Sequence, residues 1–127
     1  MNDVYISNKN LKKLENIPEH VDGIFDCSEN HLTSLEGGPK SVWGSFYCIH
    51  NKLTDLKGSP RTIGRSFNCS CNKLTTLHGA PRVVGCFFHC VENELTSMIY
   101  SPKNSVALYW TRENNFLTMD YITSLVI

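Results

Sequence analysis

Residues 66 to 82 read SFNCSCNKLTTLHGAPR, with Cys69 and Cys71 separated by one residue, an Asn-Lys-Leu after them and His78 close by. Residue types at this spacing suit three chemistries: a metal knuckle, a redox dithiol, or a cysteine nucleophile with a histidine base. Each makes its own demand on position. Tetrahedral zinc needs its sulfurs at about 2.3 Å around one point. A nucleophile needs a base in reach, a third group to orient that base, and donors for an oxyanion. The elements that carry these side chains decide which demand can be met.

Those elements repeat. VDGIFDCSENHLTSLEGGPKS, VWGSFYCIHNKLTDLKGSPRT, IGRSFNCSCNKLTTLHGAPRV and VGCFFHCVENELTSMIYSPKN start at residues 21, 42, 63 and 84, a period of 21 without insertion. Ladders of like residues run through them: Phe25, Phe46, Phe67, Phe88; Cys27, Cys48, Cys69, Cys90; Asn30, Asn51, Asn72, Asn93. Leu32, Leu53, Leu74, Leu95 and Leu35, Leu56, Leu77, Met98 follow, then Pro39, Pro60, Pro81, Pro102. Upstream, Val4, Ile6, Leu11, Leu14 and Pro18 keep the frame, and downstream Tyr109, Thr111, Asn114, Phe116 and Met119 keep it. Fixed-period self-similarity of this kind is the signature of a stacked repeat architecture.

Each coil has a physical reading. Phe-x-Cys alternates with the period of a strand, so both side chains face one side. The Asn amide that follows can bond the backbone of adjacent coils. Leu-x-x-Leu turns apolar groups back inward. Gly37, Gly58 and Gly79 share a position with Asn16, where a tight turn at positive φ is expected. Proline two residues later keeps the return segment out of a helix. A 21-residue coil has no room for a long helix. The expected fold is therefore mainly β: one domain over residues 1–127, a solenoid of six coils near 1–20, 21–41, 42–62, 63–83, 84–104 and 105–120. One parallel sheet, turn or 3₁₀ return segments, and a C-terminal cap or pairing segment at 121–127 complete the expectation.

The runs FYCIHNKLTDL and FNCSCNKLTTL resemble the leucine-rich-repeat core, in which alternating strand residues precede Asn-x-Leu. The style is similar to the short Gly/Pro-punctuated variant of tailed-phage accessory proteins, and also to the 20-residue type of bacterial effectors. Phe and Cys replace the usual strand leucines, and the first apolar residue of each repeat (Val21, Val42, Ile63, Val84) lies one position early. Within these 127 residues no ligase or kinase domain accompanies the repeats, so an effector-type enzymatic role is not carried over. The resemblance implies a phage protein that binds and modulates or inhibits a host protein, for example a defence component.

Stacking answers the opening chemistry. Cys27, Cys48, Cys69 and Cys90 form a row stepped by about 4.8 Å, which cannot converge on one zinc. They are expected to be small apolar fillers beside the phenylalanines. Cys71 occupies the position of Glu29, His50 and Glu92, partly exposed, with His50 one coil earlier as a candidate partner. A third group and an oxyanion site are not evident, so no catalytic residue, metal or cofactor is assigned, and the protein is read as a non-enzyme.

Two surfaces remain. The residues after each proline, Lys40, Arg61, Arg82 and Lys103, make a basic stripe that suits phosphates. No aromatic residue interleaves with it in sequence, and the formal net charge is zero. A nucleic-acid binder is kept as an alternative, and a solvated face is preferred. The outward strand positions near the C-terminal end gather Phe87, His89, Val91, Leu108, Trp110 and Arg112, with Tyr47 further along the same face. An apolar and aromatic surface of that extent points to a protein partner. The charge is graded: residues 1–38 hold seven acids against three lysines, and the remainder nine basic residues against five acids.

No apolar run approaches the roughly 20 residues that span a bilayer. Six cysteines without a basic-then-apolar leader are expected to be reduced thiols in a cytoplasm, that of the host cell if the protein is viral. The alternative to partner binding is a virion assembly protein that self-associates through its ends. The uncharged YITSLVI at 121–127 is expected to cap its own coil or to pair with a second copy in a homodimer.

Overall fold

A computed structural model of the protein describes residues 2–103, the backbone of 107–109, and Asn114. Its ten strands are β1 (Val4–Tyr5), β2 (His20–Val21), β3 (Phe25–Asp26), β4 (Ser41–Val42), β5 (Phe46–Tyr47), β6 (Thr62–Ile63), β7 (Phe67–Asn68), β8 (Val83–Val84), β9 (Phe87–His89) and β10 (Ala107–Tyr109). They form a parallel β-solenoid whose register follows the sequence ladders: Phe25 opposite Phe46, Phe46 opposite Phe67, Phe67 opposite Phe88.

One expectation is corrected. The strands form two parallel sheets rather than one: a six-stranded sheet in the order β1-β3-β5-β7-β9-β10 and a four-stranded sheet in the order β2-β4-β6-β8. The second sheet arises from the return segment. Proline holds the chain extended there, and the early apolar residue, Val21, Val42, Ile63 or Val84, points into the core at each step. With every coil the same length, consecutive extended segments fall into register and hydrogen-bond. Neither α-helix nor 3₁₀-helix occurs among the described residues.

Between the two sheets lies a continuous core. The four phenylalanines are fully buried. Their ring centroids step by 5.1, 5.1 and 5.6 Å, and the planes align from 35° through 17° to 8°. Cys27, Cys48, Cys69, Cys90 and both leucine columns are buried beside them.

The asparagine column ties coil to coil. Asn72 Oδ1 accepts from the backbone N–H groups of Asn51 at 3.2 Å and Leu53 at 3.1 Å, in the preceding coil. Its Nδ2 donates to Cys48 O and Cys69 O, each at 3.0 Å. Asn30, Asn51 and Asn93 repeat the pattern, and Asn114 extends it to Leu95 N and Cys90 O.

Turn conformation follows the frame too. Gly37, Gly58 and Gly79 have φ of 88°, 91° and 90°, and Asn16 has 57°. A second left-handed column was not anticipated: Asn8, Glu29, His50, Cys71 and Glu92 have φ between 53° and 59°. It stands just before each core asparagine of coils two to five, and the left-handed residue makes the turn that leaves the strand.

The register changes by one residue at β10. Leu108 stands opposite Phe88, and Tyr109 opposite His89. The 21-residue frame aligns Tyr109 with Phe88 instead, yet Asn114 is back in frame with Asn93. The segment 121–127, expected to cap or pair, lies outside the described residues.

Candidate functional site

Short strands leave a narrow outer face on the six-stranded sheet. Successive residues of a strand point to opposite sides, so the neighbours of the buried Phe and Cys face outward. Asp26, Tyr47, Asn68 and His89 form one half-buried outer column, with Tyr5 at its start 58% exposed. Phe87, 39% exposed, stands beside His89 with ring centroids 6.0 Å apart. Burial holds the His89 imidazole below its usual pKa, which favours the neutral ring. Val91 is half-buried one step further along. Tyr47, Phe87, His89 and Val91 thus lie on one face of the sheet. Leu108 is placed by its backbone only, in β10, while Trp110 and Arg112 lie outside the described residues.

The same face carries polar columns that serve the backbone. Ser28 Oγ accepts from Ile49 N at 3.0 Å, and Ser70 Oγ from Val91 N at 3.2 Å. Asp26 and Asn68 cap Ser28 N and Ser70 N at 2.9 and 3.0 Å. These residues build the face more than they advertise it, which leaves the aromatic and apolar positions as the distinctive ones.

None of the six cysteines is in a disulfide, and Cys27, Cys48, Cys69 and Cys90 are buried. Burial pushes all four thiols well above the usual range. The Cys48 and Cys69 sulfurs donate to Asn68 O and His89 O at 3.5 and 3.3 Å. Cys71 is half-buried, and its sulfur lies 3.4 Å from Glu92 Oε2 in the following coil. A carboxylate is no substitute for an imidazole that accepts a thiol proton near neutral pH. Cys86, not singled out in sequence, is a second half-buried thiol. Among the described residues no three His, Cys, Asp or Glu side chains are grouped to hold a metal ion.

A serine–histidine–aspartate string emerges on the four-stranded sheet. His20 Nδ1 lies 2.6 Å from Ser41 Oγ, and His20 Nε2 lies 2.8 Å from Asp22 Oδ1. Trp43 sets its ring edge-on to His20 at 4.8 Å and is itself 67% exposed. The string was legible in principle, since His20 and Ser41 are one repeat apart. His20 and Ser41 stand opposite each other on the paired strands β2 and β4, so the contact links those two strands.

The basic stripe runs along the return turns. Lys40 and Arg61 line one groove with Gly37, Gly38 and Gly58. Arg61, Arg82 and Lys103 line the next, of about 580 Å³, with Gly79, Ala80 and Tyr100. A third groove, at the first coil, is lined by Ile6, Leu11, Lys12 and Lys13 among others. The stripe is unevenly compensated. Lys40 pairs with Glu19 at 3.7 Å, whereas Arg61 and Arg82 have no acidic partner among the described residues.

No helix among the described residues is long and apolar enough to cross a membrane. Comparison of the chain with protein-family models, with curated proteins and with solved structures gave no significant match.

Proposed function

We propose that this solenoid is a non-enzymatic binding module of leucine-rich-repeat type, which engages a protein partner through the outer face of its six-stranded sheet. One observation carries the reading. Phe87 is exposed beside His89, on the same face as Tyr47 and Val91, at a position that holds Asp3, Ile24, Ser45 and Ser66 in the earlier coils. Aromatic side chains presented on a rigid sheet cost little entropy to immobilise and dominate interfaces. The repeat style supports a phage protein acting on a host protein in the host cytoplasm. The graded charge sets the orientation of approach.

The test is affinity purification from the host cell with wild type, Phe87→Ala, Tyr47→Ala and Trp110→Ala. A partner retained by wild type and lost from Phe87→Ala supports the face. Equal recovery by all variants sinks it. Oligomeric state is proposed as a two-fold dimer through segment 121–127, with β1 as the other open edge of the sheet. Light scattering on the full chain and on one ending at Asp120 decides it, because a monomeric full chain removes the dimer.

A further inference from the structure

The groove of Arg61 and Arg82 has features that a solvated face does not need. The two arginines occupy consecutive coils, with Arg82 N donating to Arg61 O at 2.9 Å. Their backbones are therefore held about 4.8 Å apart by the solenoid spacing. Like charges in one column repel, and neither arginine has an acidic partner within ion-pair distance among the described residues. An oxyanion between them would relieve the repulsion, and guanidinium groups match phosphate oxygens in two-point contacts.

The groove also contains a ring that the sequence frame hides. Coils two to four have glycine at the left-handed turn, but the next coil has Tyr100 there at φ 76°. A bulky side chain rarely adopts that conformation, so its presence at this turn departs from the repeat. Tyr100 lines the groove, is 57% exposed, and stands edge-on to His78 at 5.3 Å and 88°. The aromatic residue missing from the stripe in sequence is thus supplied by the turn of the following coil. The walls are completed by Thr62, Val83 and Pro81. A volume of about 580 Å³ falls in the range of small-molecule sites.

We propose that this groove binds a nucleotide unit, with Arg61 and Arg82 on its phosphate and Tyr100 against its planar base. Base–aromatic stacking tolerates any base, so the site selects the combination of phosphate and ring rather than a sequence. The unit can come as a free nucleotide or within a single strand. This site is on the return turns, away from the strand face, and stands independently of the partner reading.

Calorimetric titration of the full chain with inorganic phosphate, thymidine monophosphate and a short oligothymidylate tests it. The monophosphate should bind more tightly than phosphate alone. Arg61→Gln with Arg82→Gln should weaken it about tenfold or more, the size of a lost charged contact. Tyr100→Gly restores the residue usual at this turn, so it should fold and lose affinity for the monophosphate while inorganic phosphate binding stays unchanged. Tighter binding of the oligonucleotide, weakened by salt, identifies a strand as the source. Equal binding of the monophosphate and the oligonucleotide identifies the free nucleotide. Absence of binding by every probe at millimolar concentration overturns the proposal. So does nucleotide binding that survives the double arginine variant, or that is indifferent to Tyr100→Gly.

Discussion

Asn72 Nδ2 donates to the carbonyl of Cys48, 24 residues earlier, at 3.0 Å. The bond joins one coil to the one before it from inside the core, where Asn72 is 8% exposed. The same amide also serves Cys69 O, Ser70 O, Asn51 N and Leu53 N. Ser70 O also accepts from His50 N at 3.2 Å, but the other four groups have no further backbone partner among the described residues. The side chain supplies one.

Asn72→Leu keeps the branched shape of the side chain and removes every one of those partners. Unmade buried hydrogen bonds cost about 1–3 kcal/mol each. The expected loss is about 3 kcal/mol or more, read as a lower urea midpoint at unchanged slope. A loss below about 1 kcal/mol would mean that water enters the turn and replaces the amide.

Phe67 sits between Phe46 at 5.1 Å and Phe88 at 5.6 Å, fully buried. Phe67→Ala should cost about 3–5 kcal/mol, because rings above and below are held by their own coils and cannot collapse into the gap. Denaturation that shows a near-neutral effect would remove the phenylalanine column from the core.

Thiol titration of native protein should find two accessible groups, Cys71 and Cys86, both half-buried. Cys27, Cys48, Cys69 and Cys90 should react only on unfolding. Mass analysis after brief alkylation identifies the sites, and modification of Cys48 or Cys69 in folded protein would contradict the burial.

Raised thiol pKa values also make stability depend on pH in a set direction. Above the ordinary thiol value of 9.0 the unfolded chain loses protons that the folded chain keeps. Stability from this source is fully present below that pH and falls above it, by roughly 1.4 kcal/mol per pH unit for each thiol. Cys69→Ala should therefore show a shallower decline between pH 9 and pH 11 than wild type by about that amount. Parallel declines would show that the buried thiols do not govern alkaline unfolding.

The repeat ladders by themselves determined the fold. A residue that returns every 21 positions must meet its own kind in the neighbouring coil, so Phe67, Cys69, Asn72 and Leu74 could be placed in the core from spacing alone. The positive-φ turns at Gly37, Gly58 and Gly79 were legible for the same reason, as few other residues tolerate that conformation. Other features depend on distances between columns, which a period does not encode. The second sheet required the return segments to be extended and equally spaced at once. The meeting of Tyr100 with Arg61 and Arg82 around one groove joins different columns of different coils. Periodicity says which residues stack along the solenoid axis, but only the closed path of the coil decides which columns stand side by side.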